Sequence, residues 1–93
     1  MTVSKIPIPD HYVALPDLDT NNMTCADCYT AQGEKSIQWA FCKNASDAPE
    51  TGIMKFLMSC KYNAYYGFQY VYTSKIYRRT LSNATWGSWQ EVG

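Results

Sequence analysis

Four cysteines, one histidine and eight acidic residues are the side chains of this 93-residue sequence with the most obvious reactive chemistry. Cys25-Ala26-Asp27-Cys28 has the spacing of half a tetrahedral zinc site, which takes its thiolates and imidazoles in close pairs. The second pair is missing. Cys42 and Cys60 each stand alone, and His11 is at ligand spacing to nothing. The same C-x-x-C serves redox chemistry where a helix in a βαβ unit lowers the thiol pKa. No such unit is legible here. What remains is four reduced, mostly buried thiols packing as small apolar groups, as expected of a protein made in a cytoplasm, where disulfides rarely persist. No metal and no cofactor is expected.

Catalytic constellations fare no better. A nucleophile–base–acid triad needs a histidine beside an activated Ser or Cys, and the chain has a single histidine and no Gly-x-Ser-x-Gly. Asp17, Asp19 and Asp27 offer carboxylates for glycoside chemistry, but their Asn- and Thr-rich surroundings fit the capping of turns. Asp17-x-Asp19-x-Asn21 opens like a calcium loop, then lacks the glycine at its sixth place and the glutamate at its twelfth. The expectation is a protein that is not an enzyme.

The tyrosines carry a different chemistry. Tyr62, Tyr65, Tyr66, Tyr70, Tyr72 and Tyr77 fall close together. Half of them can fill a core or a subunit interface. Tyr62, Tyr65 and Tyr66 lie in an Asn/Gly-containing loop, YNAYYG, and loops on a rigid scaffold carry recognition. A tyrosine there offers a ring to stack on a saccharide or protein and a hydroxyl to bond it, at low entropic cost. These three are the candidate binding residues.

The elements that must position them read as strands. Ile37, Trp39 and Phe41 alternate with Ser36, Gln38 and Ala40; Phe56, Met58 and Cys60 alternate with Lys55, Leu57 and Ser59. Phe68–Thr73 and Ile76–Thr80 continue the pattern, and His11–Leu15 suggests a short strand before Pro16. Residues 23–34 follow neither period, with a short strand expected around Cys28–Ala31 and no convincing helix. Asn44–Gly52 is a loop and Ser82-Asn83-Ala84 a turn. Trp86 and Trp89, three apart around Gly87, would face opposite ways on a flat strand, so a bulge or kink at Gly87 is expected to aim both at one core. The fold expected is all-β or β-dominated: a small antiparallel β-sandwich-like knob of about six short strands over residues 15–93. Residues 1–14 read as an extended arm or linker, since Pro7 and Pro9 force Ile6 and Ile8 to extended backbone.

Tyr77-x-Arg79-x-x-x-Asn83-x-x-Trp86-x-x-Trp89, with Gly67-Phe68-Gln69-Tyr70 upstream, resembles the pyocin-knob domain of phage and pyocin tail fibres. Asp17-Leu18-Asp19-Thr20 resembles that family's opening element. The segment from Asn44 to Pro49, with Gly52 and the run Ile53–Met58, resembles its middle. The resemblance covers Leu15 to Val92. It implies a virion component, a tail-fibre knob-like domain for fibre assembly or host-surface adhesion, working as a homo-trimer or in several copies beside other phage structural proteins. It supplies no catalytic residues. Trp39, Tyr77, Trp86 and Trp89 are the expected structural anchors.

Composition agrees with a binding role and excludes others. Eight Lys+Arg against eight Asp+Glu give a net charge of zero, so nothing forms an electrostatic footprint for nucleic acid or anionic lipid. No run of eighteen apolar residues predicts membrane insertion, and the N-terminus lacks a secretory signature. Aromatics at 15% suit both strands and recognition surfaces. An alternative role is that of a small phage-encoded protein that binds a host protein or ligand outside the particle. A depolymerase-like hydrolase lacks an acid/base pair.

Overall fold

A computed structural model describes Val13, Ala14, Leu18, Asp19 and residues 23–92. The arm around Ile6–Pro9, His11, Asp17 and the Thr20–Asn22 turn lie outside the described residues.

The fold is strand-dominated, as the alternation predicts. Its strands are β1 (Val13–Ala14), β2 (Leu18–Asp19), β3 (Ser36–Cys42), β4 (Lys55–Lys61), β5 (Gly67–Tyr72), β6 (Ile76–Ser82), β7 (Thr85–Trp86) and β8 (Gln90–Val92). β3 to β6 form an antiparallel meander within a single open sheet of order β1-β3-β4-β5-β6-β7. β1 and β2 both run parallel to β3 along one edge, and β8 returns to β6 at the other. The last hairpin turns on Asn83 and Ala84, both at positive φ (51° and 64°). Two consecutive left-handed residues give the backbone twist that a tight hairpin needs.

One expectation is overturned. Residues Cys25–Ala31 form a helix, α1, where a short strand and no helix were expected. The cause is local capping. Thr24 Oγ1 accepts from the Asp27 amide at 2.9 Å, and the Asp27 carboxylate accepts from the Thr24 amide at 3.4 Å. This reciprocal pair satisfies two N-terminal donors. A seven-residue helix is too short to hold itself together, so its remaining support is tertiary. Asp47 Oδ1 and Oδ2 accept from the amides of Cys25 (2.7 Å) and Ala26 (2.9 Å).

Register divides the sheet into two faces. Across one run Gln38, Ser59, Gln69 and Arg79, and beside them Ala40, Leu57, Val71 and Tyr77. The layer over this face is α1 with the 44–50 loop. Cys25 and Cys28 of the helix pack with Ala40, Cys42, Ala45, Ala48, Leu57 and Val71 in one buried cluster. Across the other face run Trp39, Met58, Tyr70 and Arg78, flanked by the Phe41–Phe56–Tyr72–Ile76 row. There only Ile37, Met58 and Cys60 are fully buried. All four cysteines are free thiols and buried.

Candidate functional site: a braced tyrosine loop

The β4–β5 connection holds the three candidate tyrosines together and outward. Tyr62, Tyr65 and Tyr66 are 48%, 55% and 50% exposed. Their backbone, by contrast, is tied down from several sides. Asn63 Oδ1 accepts from the amides of Tyr65 (2.8 Å) and Tyr66 (2.9 Å), and the Tyr62 and Asn63 amides donate to Tyr66 O. The Tyr29 hydroxyl, buried under the loop, lies 2.7 Å from both Asn63 O and Tyr66 O. Ala84 of the last hairpin donates to Tyr65 O, and Lys35 to Tyr62 O. The Lys35 ammonium lies over the Tyr62 ring at 6.0 Å. Three rings displayed on a backbone ordered beforehand lose little entropy on binding.

Gly67 closes this loop and admits no side chain. A Cβ there would run into the Tyr29 hydroxyl and ring and lie 2.6 Å from Cys60 O. Helix, loop and sheet thus meet at Tyr29, whose ring also packs edge-on against Trp86 at 5.0 Å.

Gln69, Trp86 and Trp89, three of the residues quoted for the tail-fibre resemblance, gather in a second place, around a fourth, Arg79. This side chain is 7% exposed. Its Nε donates to Gln69 Oε1 at 3.0 Å and its Nη2 pairs with Asp47 Oδ2 at 3.0 Å. The guanidinium lies over Trp86 (4.2 Å) and over Trp89 (4.7 Å). Trp89 Nε1 donates to Asp47 O, and Gln69 Nε2 reaches Cys25 O at 2.7 Å. Tyr77, one row away, donates its hydroxyl to Glu50. The chain leaves β7 after Trp86 and rejoins β6 at Gln90, with the Gly87 amide bonded to Thr80 O. That kink lets both indoles reach one guanidinium. Both are partly buried, and every polar group named is engaged inside the fold. This cluster is structural.

Electrostatics follow the geometry. Burial alone would raise the Asp47 carboxyl, yet the amides of Cys25 and Ala26 and the Arg79 charge outweigh it and hold the group below the usual carboxylate range. The hydrogen bonds that Thr73 and then Tyr77 donate to Glu50 lower that carboxyl as well. Burial pushes the Cys28 thiol up to about 11, and the hydrogen bond of Cys25 to Cys42, with burial, raises Cys25 far above the ordinary thiol range. Cys25 and Cys28 are therefore inert thiols, whereas the same hydrogen bond with Cys25, helped by the Lys55 charge, lowers Cys42 to about 7 at a site only 1% exposed. Among the described residues no group of three or more His, Cys, Asp or Glu side chains is placed to hold a metal ion.

Trp39, the fourth expected anchor, sits elsewhere. It lies half-buried on the sheet face opposite α1, beside Ile37, Met58 and Cys60. Sequence reasoning missed Asp47, Gln69 and Lys61 as working parts. Lys61 is 8% exposed and donates to Gln32 O (2.9 Å) and Tyr29 O (3.1 Å) at the C-terminal end of α1, where a cation complements the helix dipole. The Thr24-x-x-Asp27 box was the signal that could have revealed the helix these residues serve. No family model, curated protein or solved structure matches the chain.

Proposed function

We propose that this protein is a knob-type adhesion module of a phage virion, a tail-fibre or fibre-like component that contacts a host-surface saccharide through Tyr62, Tyr65 and Tyr66. The observation that carries the reading is the contrast within one loop: three rings about half exposed on a backbone held by Asn63, Tyr29 and Ala84. Aromatic side chains so displayed stack on the apolar faces of sugar rings, while their hydroxyls bond sugar hydroxyls. Further support comes from the Arg79 cluster. Gln69, Tyr77, Arg79, Trp86 and Trp89, together with the Asn44–Pro49 loop, underlie the resemblance to pyocin knobs, and they form a connected interior here.

Two measurements test this. Peptide mass spectrometry of purified particles should find the chain at a constant ratio to the major tail proteins. A glycan array probed with the purified protein should give signals that Tyr62→Ala/Tyr65→Ala/Tyr66→Ala removes. A chain absent from particles and blind to glycans would favour instead a small protein that binds a host factor outside the virion.

A further inference from the structure

We propose that the face of the sheet opposite α1, over which no other described element lies, is buried against the same face of another copy of this chain. Trp39, Phe41, Phe56, Tyr70, Tyr72 and Ile76 dominate that face, and none of the six is fully buried. Phe56 is 42% exposed and Ile76 38%. Their rings already touch laterally: Phe41 to Phe56 at 4.1 Å, Tyr70 to Tyr72 at 6.2 Å. A solvated sheet face ordinarily alternates to polar residues. Here the polar set (Lys55, Ser59, Lys61, Gln69, Arg79) occupies the face under α1, so the usual assignment of faces is inverted. An apolar patch of this kind marks a contact site.

A second copy is the occupant that charge and area favour. Arg78 is the one charged side chain that β3 to β6 place on this face, and it lies on β6, away from the middle of the meander. A two-fold contact sets a surface against itself, so a neutral apolar centre suits it and a charged centre does not. The chain's zero net charge adds no long-range repulsion. The four strands β3 to β6, spaced about 4.8 Å and six or seven residues long, give a projected footprint of about 400 Å². Its corrugated accessible surface then reaches the low end of the roughly 600–800 Å² per partner of stable interfaces. Sheets stacked in this way pack about 10 Å apart with interdigitated side chains.

The contact rests on the sheet alone, while its purpose rests on the adhesion reading above. The 62–66 loop lies at one end of the β4–β5 hairpin. Copies related by an axis along the strands would present their tyrosines together, converting weak single contacts into avid ones.

The test is analytical ultracentrifugation of the full chain at micromolar concentration, with Phe56→Lys/Ile76→Lys beside it. Both substituted positions are partly solvated, so the variant is expected to fold. The wild type should sediment as a dimer of the 10.6 kDa chain and the variant as a monomer with an unchanged circular dichroism spectrum. Hydroxyl-radical footprinting of the wild type needs no variant. Trp39, Phe56 and Tyr72 should become protected as concentration rises, while Tyr62, Tyr65 and Tyr66 stay reactive. A monomeric wild type overturns the proposal, including one whose face is protected at every concentration because the chain's own first residues cover it. So does an oligomer that Phe56→Lys/Ile76→Lys leaves intact. A monomer that still binds glycans through its tyrosines would break this inference and leave the adhesion reading standing. An oligomer blind to glycans would do the reverse.

Discussion

The two faces of the central sheet invert the usual distribution. The face under α1 holds Lys55, Ser59, Lys61, Gln69 and Arg79, all buried, and the opposite face holds most of the strand aromatics, partly solvated. Polar groups are stable inside because each has partners in reach. Lys61 has the carbonyls that end α1, Gln69 has Cys25 O and Ser59 Oγ, and Arg79 has Asp47 and two indoles. Burial is costly only for polar groups left unpaired. Among the described residues the aromatics of the opposite face have no such hydrogen-bond partners, and the proposed self-contact is what would cover them. Interior and contact surface are therefore distinguished by hydrogen-bond satisfaction, not by hydropathy.

The largest way to break the contrast is at Arg79. Arg79→Ala should cost about 3–5 kcal/mol, as for other broken buried pairs, tending to the lower figure because Asp47 keeps 26% exposure. Urea denaturation would show it as a lower midpoint at unchanged slope, and a loss under about 1 kcal/mol would mean the cluster is not the anchor. Trp89→Ala comes next at roughly 2–4 kcal/mol, below the range for fully buried indoles, because it removes one wall of the Arg79 site and the bond to Asp47 O. Gly67→Ala should cost about 1–3 kcal/mol by overpacking against Tyr29. Unlike the first two, it should also disturb the tyrosine loop, visible as shifted amide resonances at residues 62–66.

The pH dependence should be smaller. Asp47 has a folded pKa below the roughly 3.9 of an unfolded aspartate. Its ionised form therefore favours the fold: the contribution is complete above that value and fades as pH falls through 4 and below. Thermal melts between neutral pH and pH 3 should show this, and Asp47→Asn should flatten the acid limb while lowering stability at neutral pH. On the aromatic face, Phe56→Ser should leave monomer stability within about 0.5 kcal/mol, as for ordinary surface changes. A melting loss like that of Trp89→Ala would show that this face is core after all.

Much of the sheet was legible because β-branched and aromatic residues alternate with a period of two over β3 to β6. Asn83 announced the last turn, and Gly87 the kink that gathers Trp86 and Trp89. The exposed tyrosine loop followed from Asn63 and Gly67 flanking an aromatic run. The helix was not legible as a period, since seven residues make two turns, and it depends on Asp47 some twenty residues away. Nor could alternation say which face is inner. That was decided by long-range pairs such as Arg79 with Asp47 and Lys61 with the end of α1, which no local pattern encodes.

The most direct test of the central claim compares the wild type with Tyr62→Ala/Tyr65→Ala/Tyr66→Ala on a glycan array, with melting curves alongside. The wild type should bind a defined set of surface glycans. The triple variant should lose at least about tenfold in affinity, the equivalent of about 1.4 kcal/mol, with its melting temperature nearly unchanged. Equal binding by both proteins, or no binding by the wild type, would contradict it.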